Sequence, residues 1–262
     1  MYFLCISLLG STDTVKLINM KTLVVIPAYN EEETIYEVVT RALHFSDVSV
    51  TNDGSRDRTP EILEGIVQEC KEKKHKHLLH IITHAKSTHI PAGIQDGMVY
   101  AKQNSYDFIV TMDAGLSHDP DVLPELFSYD PSIDVLIGSR EVMENVPLYR
   151  RLISRMAANV VNYSLTPSFF KFRGPALRDC TSGFRRYSRR AFSVVAEADL
   201  KSKAFDFHME ALALCYRAGM SVAEFPIKYV FSNSSFNMRV FRQGILFGFY
   251  LILHKNSSKT RS

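Results

Sequence analysis

The sequence has few cysteines, and their arrangement excludes a common class of site. Four cysteines occur in 262 residues, at Cys5, Cys70, Cys180 and Cys215. None of them forms a CxxC or a Cys/His metal-binding spacing. Dispersed thiols of this kind are typical of a reducing compartment, where the default is a buried, unpaired cysteine.

Long apolar runs and a dominant charge are also lacking. No segment reaches the roughly 18 consecutive apolar residues that a membrane span needs. The apolar residues 1–9 have no positively charged start, which argues against a signal peptide. The net charge of +3 argues against bulk nucleic-acid binding. No GxGxxG follows the first predicted strand, which disfavours a Rossmann dehydrogenase or methyltransferase.

The composition favours one packed domain. Apolar residues make up 46% and charged residues 23% of the chain, as in folded α/β proteins of this length. We predict an extension over residues 1–19 that is not necessarily the native start, a domain over residues 20–235, and an apolar helix with a polar tail over residues 236–262. The expected location is the cytoplasm. Residues 244–253 are expected to be buried, to lie peripherally on the cytoplasmic face of a membrane, or to contact a membrane-protein partner.

Predicted strands and helices alternate from residue 22 to residue 140. Strands are predicted over residues 22–26, 47–50, 78–83, 107–112 and 134–137, and helices over residues 31–43, 57–71, 91–102 and 119–127. This alternation predicts an α/β fold with a mostly parallel sheet covered by helices. Further helices are predicted over residues 148–165, 188–198, 205–218 and 237–254, and a strand over residues 221–230. Ligands of such sheets bind at the carboxyl ends of strands.

The first polar segment at a predicted strand end runs from Pro27 to Glu32. Tyr29 offers a stacking face, and Glu31 can accept from ribose hydroxyls or base N–H groups. Taken alone, the segment is explained better as a simple helix entry with Asn30 as N-cap.

The second polar segment contains a glycine turn. Gly54 permits a tight turn that can present Asp53 to a base or ribose. An ordinary loop, with Asp57 capping the next helix, explains the same residues.

The third polar segment begins with Asp113, directly after a predicted buried strand. A carboxylate in this place suits Mg²⁺ or Mn²⁺, which prefer oxygen ligands and can bridge a diphosphate. The alternative makes Asp113 a turn residue and Asp119 a helix cap.

In this order the segments resemble family 2 glycosyltransferases of the GT-A fold, among them dolichol-phosphate mannosyltransferase and related polyprenyl-phosphate sugar transferases. The matching stretches are VVIPAYNEEETI, NDGSRDRT, MDAGLSHDP, IGSR and DCTSGFRRY. The resemblance implies transfer of a hexose, with mannose favoured, from a nucleotide diphosphate sugar to a polyprenyl phosphate with inversion. It implies GDP-mannose as the donor, with UDP-glucose as a rival, and Mg²⁺ or Mn²⁺ as the cofactor.

The resemblance also implies which residues face the nucleotide. These are Pro27, Tyr29, Glu31, Asn52 and Asp53.

Catalytic, metal-binding and acceptor-binding roles are implied for a second group. Asp113 takes the place of the first aspartate in the family's Asp-x-Asp metal motif. Arg140, expected after the fifth strand, contacts the acceptor phosphate together with Arg150 and Ser154. Asp113 and Arg140 are therefore the predicted catalytic residues. The spacing of Arg150 and Ser154 places both on one helical face.

The sequence departs from the family pattern at the metal motif. Gly115 stands where the second aspartate is expected, so one carboxylate is missing and a weakened metal site is predicted. Ser117 and His118 are candidate helpers, although a capping-loop role explains His118 better. Two further departures concern residues 86–93, where the family has a glycine-rich segment, and residues 232–237 before the last helix.

Two alternatives to a polyprenyl-phosphate transferase stay open. A transferase acting on a hydroxyl requires a carboxylate base, for which Asp179 is the candidate, although pairing with a nearby arginine explains Asp179 better. A catalytically weak nucleotide-sugar binder that serves as a partner subunit is favoured by Gly115. The arginine-rich region is either a solvated surface or an anion site, and it comprises Arg150, Arg151, Arg155, Arg173, Arg178, Arg185, Arg186, Arg189 and Arg190.

Overall fold

The computed structural model describes residues 20–144, 146, 148–165, 175–230 and 238–254. Its strands are β1 (Thr22–Ala28), β2 (Asp47–Asn52), β3 (Leu79–Thr83), β4 (Phe108–Thr111), β5 (Val135–Glu144), β6 (Arg185–Ser188) and β7 (Val222–Val230). Its helices are α1 (Ile35–Leu43), α2 (Thr59–Glu72), α3 (Ile90–Gln103), α4 (Leu123–Ser128), α5 (Leu148–Leu165), α6 (Arg189–Ala196), α7 (Phe207–Arg217) and α8 (Met238–Leu253). The predicted extension over residues 1–19, the tail over residues 255–262 and the loop residues 166–174 lie outside the described residues.

The described strands form one seven-stranded sheet in the order β3-β2-β1-β4-β6-β5-β7. All pairings are parallel except the two that β6 makes with β4 and β5. The predicted α/β fold with a mostly parallel sheet is thereby confirmed. Ala28 pairs with Asn52, and Asn52 pairs with Thr83, so β1, β2 and β3 end together at one edge of the sheet. Because β6 is antiparallel and Arg185 pairs with Thr111, the segment before β6 reaches the same edge.

The two faces of the sheet carry separate hydrophobic cores. Leu23 and Val25 belong to one core and Val24 and Ile26 to the other, because successive side chains of a strand point to opposite faces. Helix α3 lies close to β1 at Gly97, where an added Cβ would lie 2.4 Å from Cγ1 of Val25. Both cores are covered by helices, as the alternation predicts.

The first helix begins later than the sequence predicts. Helix α1 starts at Ile35 with Thr34 at the N-cap, so the interpretation of Asn30 as N-cap is wrong. Asn30 has a φ of 55°. Its N–H donates to Oγ of Ser55 at 3.0 Å, and its side-chain oxygen accepts from the N–H of Arg56 at 2.8 Å. Asn30 therefore joins the first polar segment to the second.

Strand β5 is longer than predicted, and Arg140 lies within it rather than after it. The strand continues to Glu144 because it pairs with β7 as far as Val230. A register shift between Arg140 and Val142 marks an irregularity of the kind that often redirects a side chain near a site.

Strand β6 is absent from the sequence-based prediction because it contains two charged residues that are fully buried. Arg185 and Arg186 are each 0% exposed, and their guanidinium groups donate to backbone carbonyls. Both interpretations of the arginine-rich region, solvated surface and anion site, are therefore wrong for these two residues.

The remaining predicted elements are present, with ends shifted by a few residues. Helix α5 has the predicted bounds, Leu148–Leu165. Asp119 caps a 3₁₀ turn over Pro120–Val122 rather than an α-helix, and its side chain accepts from the N–H of Asp121 at 3.1 Å. Asp57 accepts from the N–H of Thr59, the first residue of α2.

Candidate functional site

Backbone hydrogen bonds hold the first polar segment against the second at the edge of the sheet. The N–H of Glu31 donates to Oγ1 of Thr59 at 2.9 Å, and the N–H of Glu32 donates to Oδ2 of Asp57 at 3.1 Å. The ring of Tyr29 stands at this edge and is 48% exposed. The segment is therefore braced as a unit, with an aromatic face open to a ligand.

Asn52 and Asp53, which were predicted to face the nucleotide, are both buried at this edge. The side-chain oxygen of Asn52 accepts from the N–H of Ser55 at 3.1 Å and shapes the turn. Pro27 lies in β1 opposite Thr51 of β2. The structure thus brings the predicted nucleotide residues of β1 and β2 together.

The Asp53 carboxylate is surrounded by hydrogen-bond donors of the segment that follows β3. It accepts from Oγ of Ser87 at 2.7 Å, from N and Oγ1 of Thr88 at 2.8 Å each, and from N of His89 at 2.9 Å. Nδ1 of His84 lies 2.7 Å from Oδ1. Burial alone would raise the pKa of Asp53, but these bonds lower it to about 2. In this structure the carboxylate organises residues 84–89.

Asp113 lies just beyond β4, beside two buried histidines. Its Oδ2 is 3.6 Å from Nδ1 of His118, and an added Cβ at Gly183 would lie 3.1 Å from its Oδ1 and 3.0 Å from Nε2 of His208. His118 is stacked on Phe184 at 5.1 Å between ring centroids. His118 lies in the loop just before Asp119, the N-cap of the 3₁₀ turn, and it is also a buried neighbour of Asp113. Burial lowers the pKa of His118 and favours its neutral ring.

Asp113 interacts electrostatically with Glu31 of the first polar segment. Burial raises the pKa of Glu31, the hydroxyl of Thr34 opposes this effect, and the charge of Asp113 adds to it. Burial alone would lower the pKa of Arg140, but Asp179 raises it, and Asp113 adds a smaller contribution in the same direction. Asp113 thus lies within electrostatic reach of both Glu31 and Arg140, so the nucleotide side and the acceptor side of the predicted site are neighbours.

Arg140 is held by a carboxylate and two hydroxyl groups. Its Nε donates to Oδ2 of Asp179 at 2.6 Å, and its Nη2 donates to Oδ1 of Asp179 at 2.8 Å and to Oγ1 of Thr181 at 2.6 Å. Oγ of Ser154 lies 3.5 Å from Nη2. The prediction that Arg140 and Ser154 share a site agrees with this geometry. The side chain of Arg150, the third predicted acceptor residue, lies outside the described residues.

Asp179 is the ion-pair partner of Arg140. Burial would raise its pKa, but Arg140 and backbone N–H groups hold it well below its ordinary value. The N–H groups of Thr181 and Ser182 each donate to its Oδ1 at 3.0 Å. The interpretation of Asp179 as paired with a nearby arginine is confirmed.

The residues around Asp113 fit a divalent metal only when a ligand supplies most of the oxygens. No group of three or more His, Cys, Asp or Glu side chains within the described ranges is arranged to hold a metal ion. Asp113 contributes one carboxylate, which is 41% exposed. Neither ring nitrogen of buried His118 has a hydrogen-bond partner in the part of the chain that the structure describes. Mg²⁺ commonly accepts one or two carboxylates together with phosphate oxygens and water.

Two residues of the site were missed from the sequence. Thr181 lies in the DCTSGF stretch, so its place in a matching motif was a usable signal. His84 is a single histidine after a strand, and no pattern marks it. Only the fold brings it to Asp53.

Comparison with known proteins identifies the family. The model of the family described as "Glycosyl transferase family 2" matches residues 23–195. The polyprenol monophosphomannose synthase of Mycolicibacterium smegmatis is 29% identical over 217 residues, which cover 80% of this chain and 77% of that protein. The undecaprenyl-phosphate mannosyltransferase of Micrococcus luteus is 31% identical over 218 residues, with coverage of 80% and 84%.

A solved structure confirms the fold independently. The glucosyl-3-phosphoglycerate synthase of Mycobacterium tuberculosis, crystallised with Mn²⁺, UDP and glucosyl-3-phosphoglycerate, superposes with a TM-score of 0.65 at 15% identity. The match covers 91% of this chain and 82% of that one. At this sequence identity the structural similarity shows the GT-A fold, and the ligands of that protein are not inferred for this chain.

Proposed function

The chain belongs to glycosyl transferase family 2, and from that premise we propose that it moves a hexose from a nucleotide diphosphate sugar to a polyprenyl (dolichyl-type) phosphate with inversion. Mannose from GDP-mannose is the favoured donor group. The observation that carries the proposal is the position of Arg140, beside Ser154 and Thr181 and within electrostatic reach of Asp113. The two relatives reported above are, by their names, a polyprenol monophosphomannose synthase and an undecaprenyl-phosphate mannosyltransferase.

The acceptor side of the site has the chemistry that a phosphate monoester requires. Among the described residues, the hydrogen bonds of the Arg140 guanidinium use Nε and Nη2, so we assign Nη1 to the acceptor phosphate. The hydroxyl groups of Ser154 and Thr181 stand beside it as further donors. Asp179 holds the guanidinium in one orientation and so fixes the direction in which Nη1 donates.

The reaction needs no strong general base, because a lipid phosphate is already anionic near neutral pH. This agrees with the ion pair of Asp179, whose lowered pKa makes it a poor proton acceptor. Catalysis then rests on alignment of acceptor and donor, and on stabilisation of the leaving nucleoside diphosphate.

Asp113 is the residue that we assign to a divalent metal, with His118 as a neighbour able to take part as a neutral ring. Such a metal supplies positive charge to the leaving diphosphate. We assign Tyr29 and Glu31 to the nucleotide. Pro27, Asn52 and Asp53, at the ends of β1 and β2, are assigned to the same half of the site.

We further propose that the protein attaches peripherally to a membrane. On α5 the side chains of Leu148, Tyr149, Leu152 and Met156 are exposed, and on α8 those of Leu246, Phe249 and Leu253 are exposed. Within the described ranges, none of the helices combines the length and apolarity that crossing a bilayer requires. Flotation with anionic lipid vesicles tests this proposal. Recovery of Leu152→Glu with the vesicles at the wild-type level would contradict it.

One experiment tests the proposed activity. The purified protein is supplied with Mg²⁺ or Mn²⁺, radiolabelled nucleotide sugars and a polyprenyl phosphate, and label is measured in the lipid phase. Label in the lipid supports the proposal. Label that enters only hydroxyl acceptors would support a hydroxyl transferase. Failure with every donor, while a nucleoside diphosphate still raises the melting temperature, would leave a nucleotide-sugar binder, which Gly115 favours.

A further inference from the structure

His84 connects two carboxylates from different elements of the nucleotide half of the site. Its Nδ1 lies 2.7 Å from Oδ1 of Asp53, which follows β2, and its Nε2 lies 2.8 Å from Oδ2 of Asp96 on α3. A neutral imidazole carries one N–H and can donate to only one carboxylate, whereas an imidazolium donates to both. The position of His84 between Asp53 and Asp96 therefore favours the protonated, charged form of its imidazole ring.

The same carboxylate of Asp53 anchors the segment that carries His84. Residues 84–89 donate to it from Ser87, Thr88 and His89. Oγ1 of Thr88 also lies 2.8 Å from Nδ1 of His84. The imidazolium thus closes a ring of contacts that fixes the segment to the end of β2.

This segment lies against the turn that presents Asp53. Gly54 has a φ of 73°, and an added Cβ there would lie 2.9 Å from the backbone carbonyl carbon of Lys86. Thr83, the last residue of β3, pairs with Asn52. A displacement of residues 84–89 is therefore transmitted to Asn52 and Asp53, two residues that the proposed function assigns to the nucleotide.

We infer that His84, as an imidazolium, is a positioning residue for the donor: it ties Asp53 to Asp96 and holds residues 84–89 in the conformation that a nucleotide sugar binds. Donor affinity then falls as pH rises and the ring loses its proton. The inference rests on the proposed function for the assignment of this edge to the nucleotide.

The direction of the pH effect follows from the charges that face the ring. The bond to Asp53 raises the pKa of His84, burial opposes this effect, and Asp96 raises it further. A raised pKa means that the contribution of the ring is complete below its ordinary value of about 6.5 and is lost as pH rises through the raised value. Donor affinity is expected to change tenfold for each unit by which nucleotide binding raises the pKa of His84.

The test measures the dissociation constant of GDP-mannose and of UDP-glucose by calorimetry between about pH 5.5 and 8.5, the range in which a histidine titrates. These two nucleotide sugars are suitable probes because their phosphodiester-type phosphates do not titrate in this pH range. In the same samples, histidine side-chain NMR follows the titration of His84. The variants are His84→Gln, Asp96→Asn and, as a matched control, His44→Gln, which replaces an exposed histidine at the end of α1.

We expect wild type and His44→Gln to lose about threefold to tenfold in affinity as His84 deprotonates, which corresponds to a pKa coupled to binding by half a unit to one unit. His84→Gln is expected to bind more weakly at low pH and to show no such step. Asp96→Asn is expected to move the step to lower pH, an effect that a merely structural role would not produce.

Three results would overturn the inference. One is a His84 pKa at or below its ordinary value, another is the same pH profile in His84→Gln as in wild type, and the third is no binding of either probe at any pH. A protein that shows the expected profile but transfers no sugar to lipid would refute the proposed function and leave the inference standing.

Discussion

The buried pair of Arg140 and Asp179 makes the sharpest prediction for stability. The Asp179 side chain is 5% exposed and that of Arg140 is 19% exposed. Removing one partner of a buried pair costs about 3–5 kcal/mol, because the other charge is left uncompensated. For Asp179→Asn we expect a loss of about 3 kcal/mol, since the amide keeps one acceptor oxygen for the N–H groups of Thr181 and Ser182.

Urea denaturation at pH 7, followed by circular dichroism, measures this loss. Glu141→Gln is a matched control, because Glu141 pairs with Arg178 at the surface, where the two side chains are 41% and 72% exposed. Exposed pairs contribute below about 1 kcal/mol. The control should therefore unfold close to wild type.

The pH dependence gives a second readout. The pKa of Asp179 is lowered in the folded state, so its contribution is complete above the ordinary value of about 3.9 and is lost as pH falls. The difference between wild type and Asp179→Asn should be constant from about pH 5 to 8 and shrink below about pH 4. A difference below about 1 kcal/mol at pH 7 would refute the reasoning. Wild-type stability with a transfer rate reduced by about 10²-fold or more would instead make Asp179 the base of a hydroxyl transferase.

Three further predictions concern close packing, the metal and the acceptor. Gly97→Ala should destabilise the protein by about 1–3 kcal/mol in urea, because its Cβ would lie 2.4 Å from Cγ1 of Val25. Gly65→Ala, on α2 with no atom within 4 Å of the new Cβ, should instead stabilise it by up to about 1 kcal/mol, and equal effects would contradict the packing argument. Asp113→Asn should lower metal-dependent transfer at least about a hundredfold with an unchanged melting temperature, and a wild-type rate would rule out the metal role. Arg140→Lys should raise the KM for polyprenyl phosphate by about tenfold or more while the KM for the nucleotide sugar changes little, and an equal change in both would contradict the acceptor assignment.

The parallel part of the sheet was predictable because its signals are local. Each of β1, β2 and β4 is a short buried run followed by a polar segment, and this pattern depends only on neighbouring residues. Strand β6 and the second half of β5 carry no such pattern. Arg185 and Arg186 are tolerated in a buried strand because carbonyl groups distant in sequence, those of His208 and Tyr129, accept from them. Strand β5 extends because β7 pairs with it.

Some residues of the candidate site were likewise predictable from the sequence, and the interactions of others depend on the fold. Asp113, Arg140 and Ser154 were predicted from the resemblance to the family, and the fold places Arg140 beside Ser154 and within electrostatic reach of Asp113. Sequence alone left two interpretations of Asp179 open, and the fold shows that Asp179 is paired with Arg140 through two hydrogen bonds.

The amino-acid sequence by itself determined the α/β class, the family and the residues at the strand ends, since alternation and motif order are properties of a linear chain. Only the tertiary structure decided which charged side chains are already bound to other groups of the protein. Asp53 is enclosed by residues 84–89, and His84 reaches across to Asp96 on another element. The energy of a charged side chain depends on its burial and on the partners that folding brings close to it. Neither can be deduced from the residues next to it in the sequence.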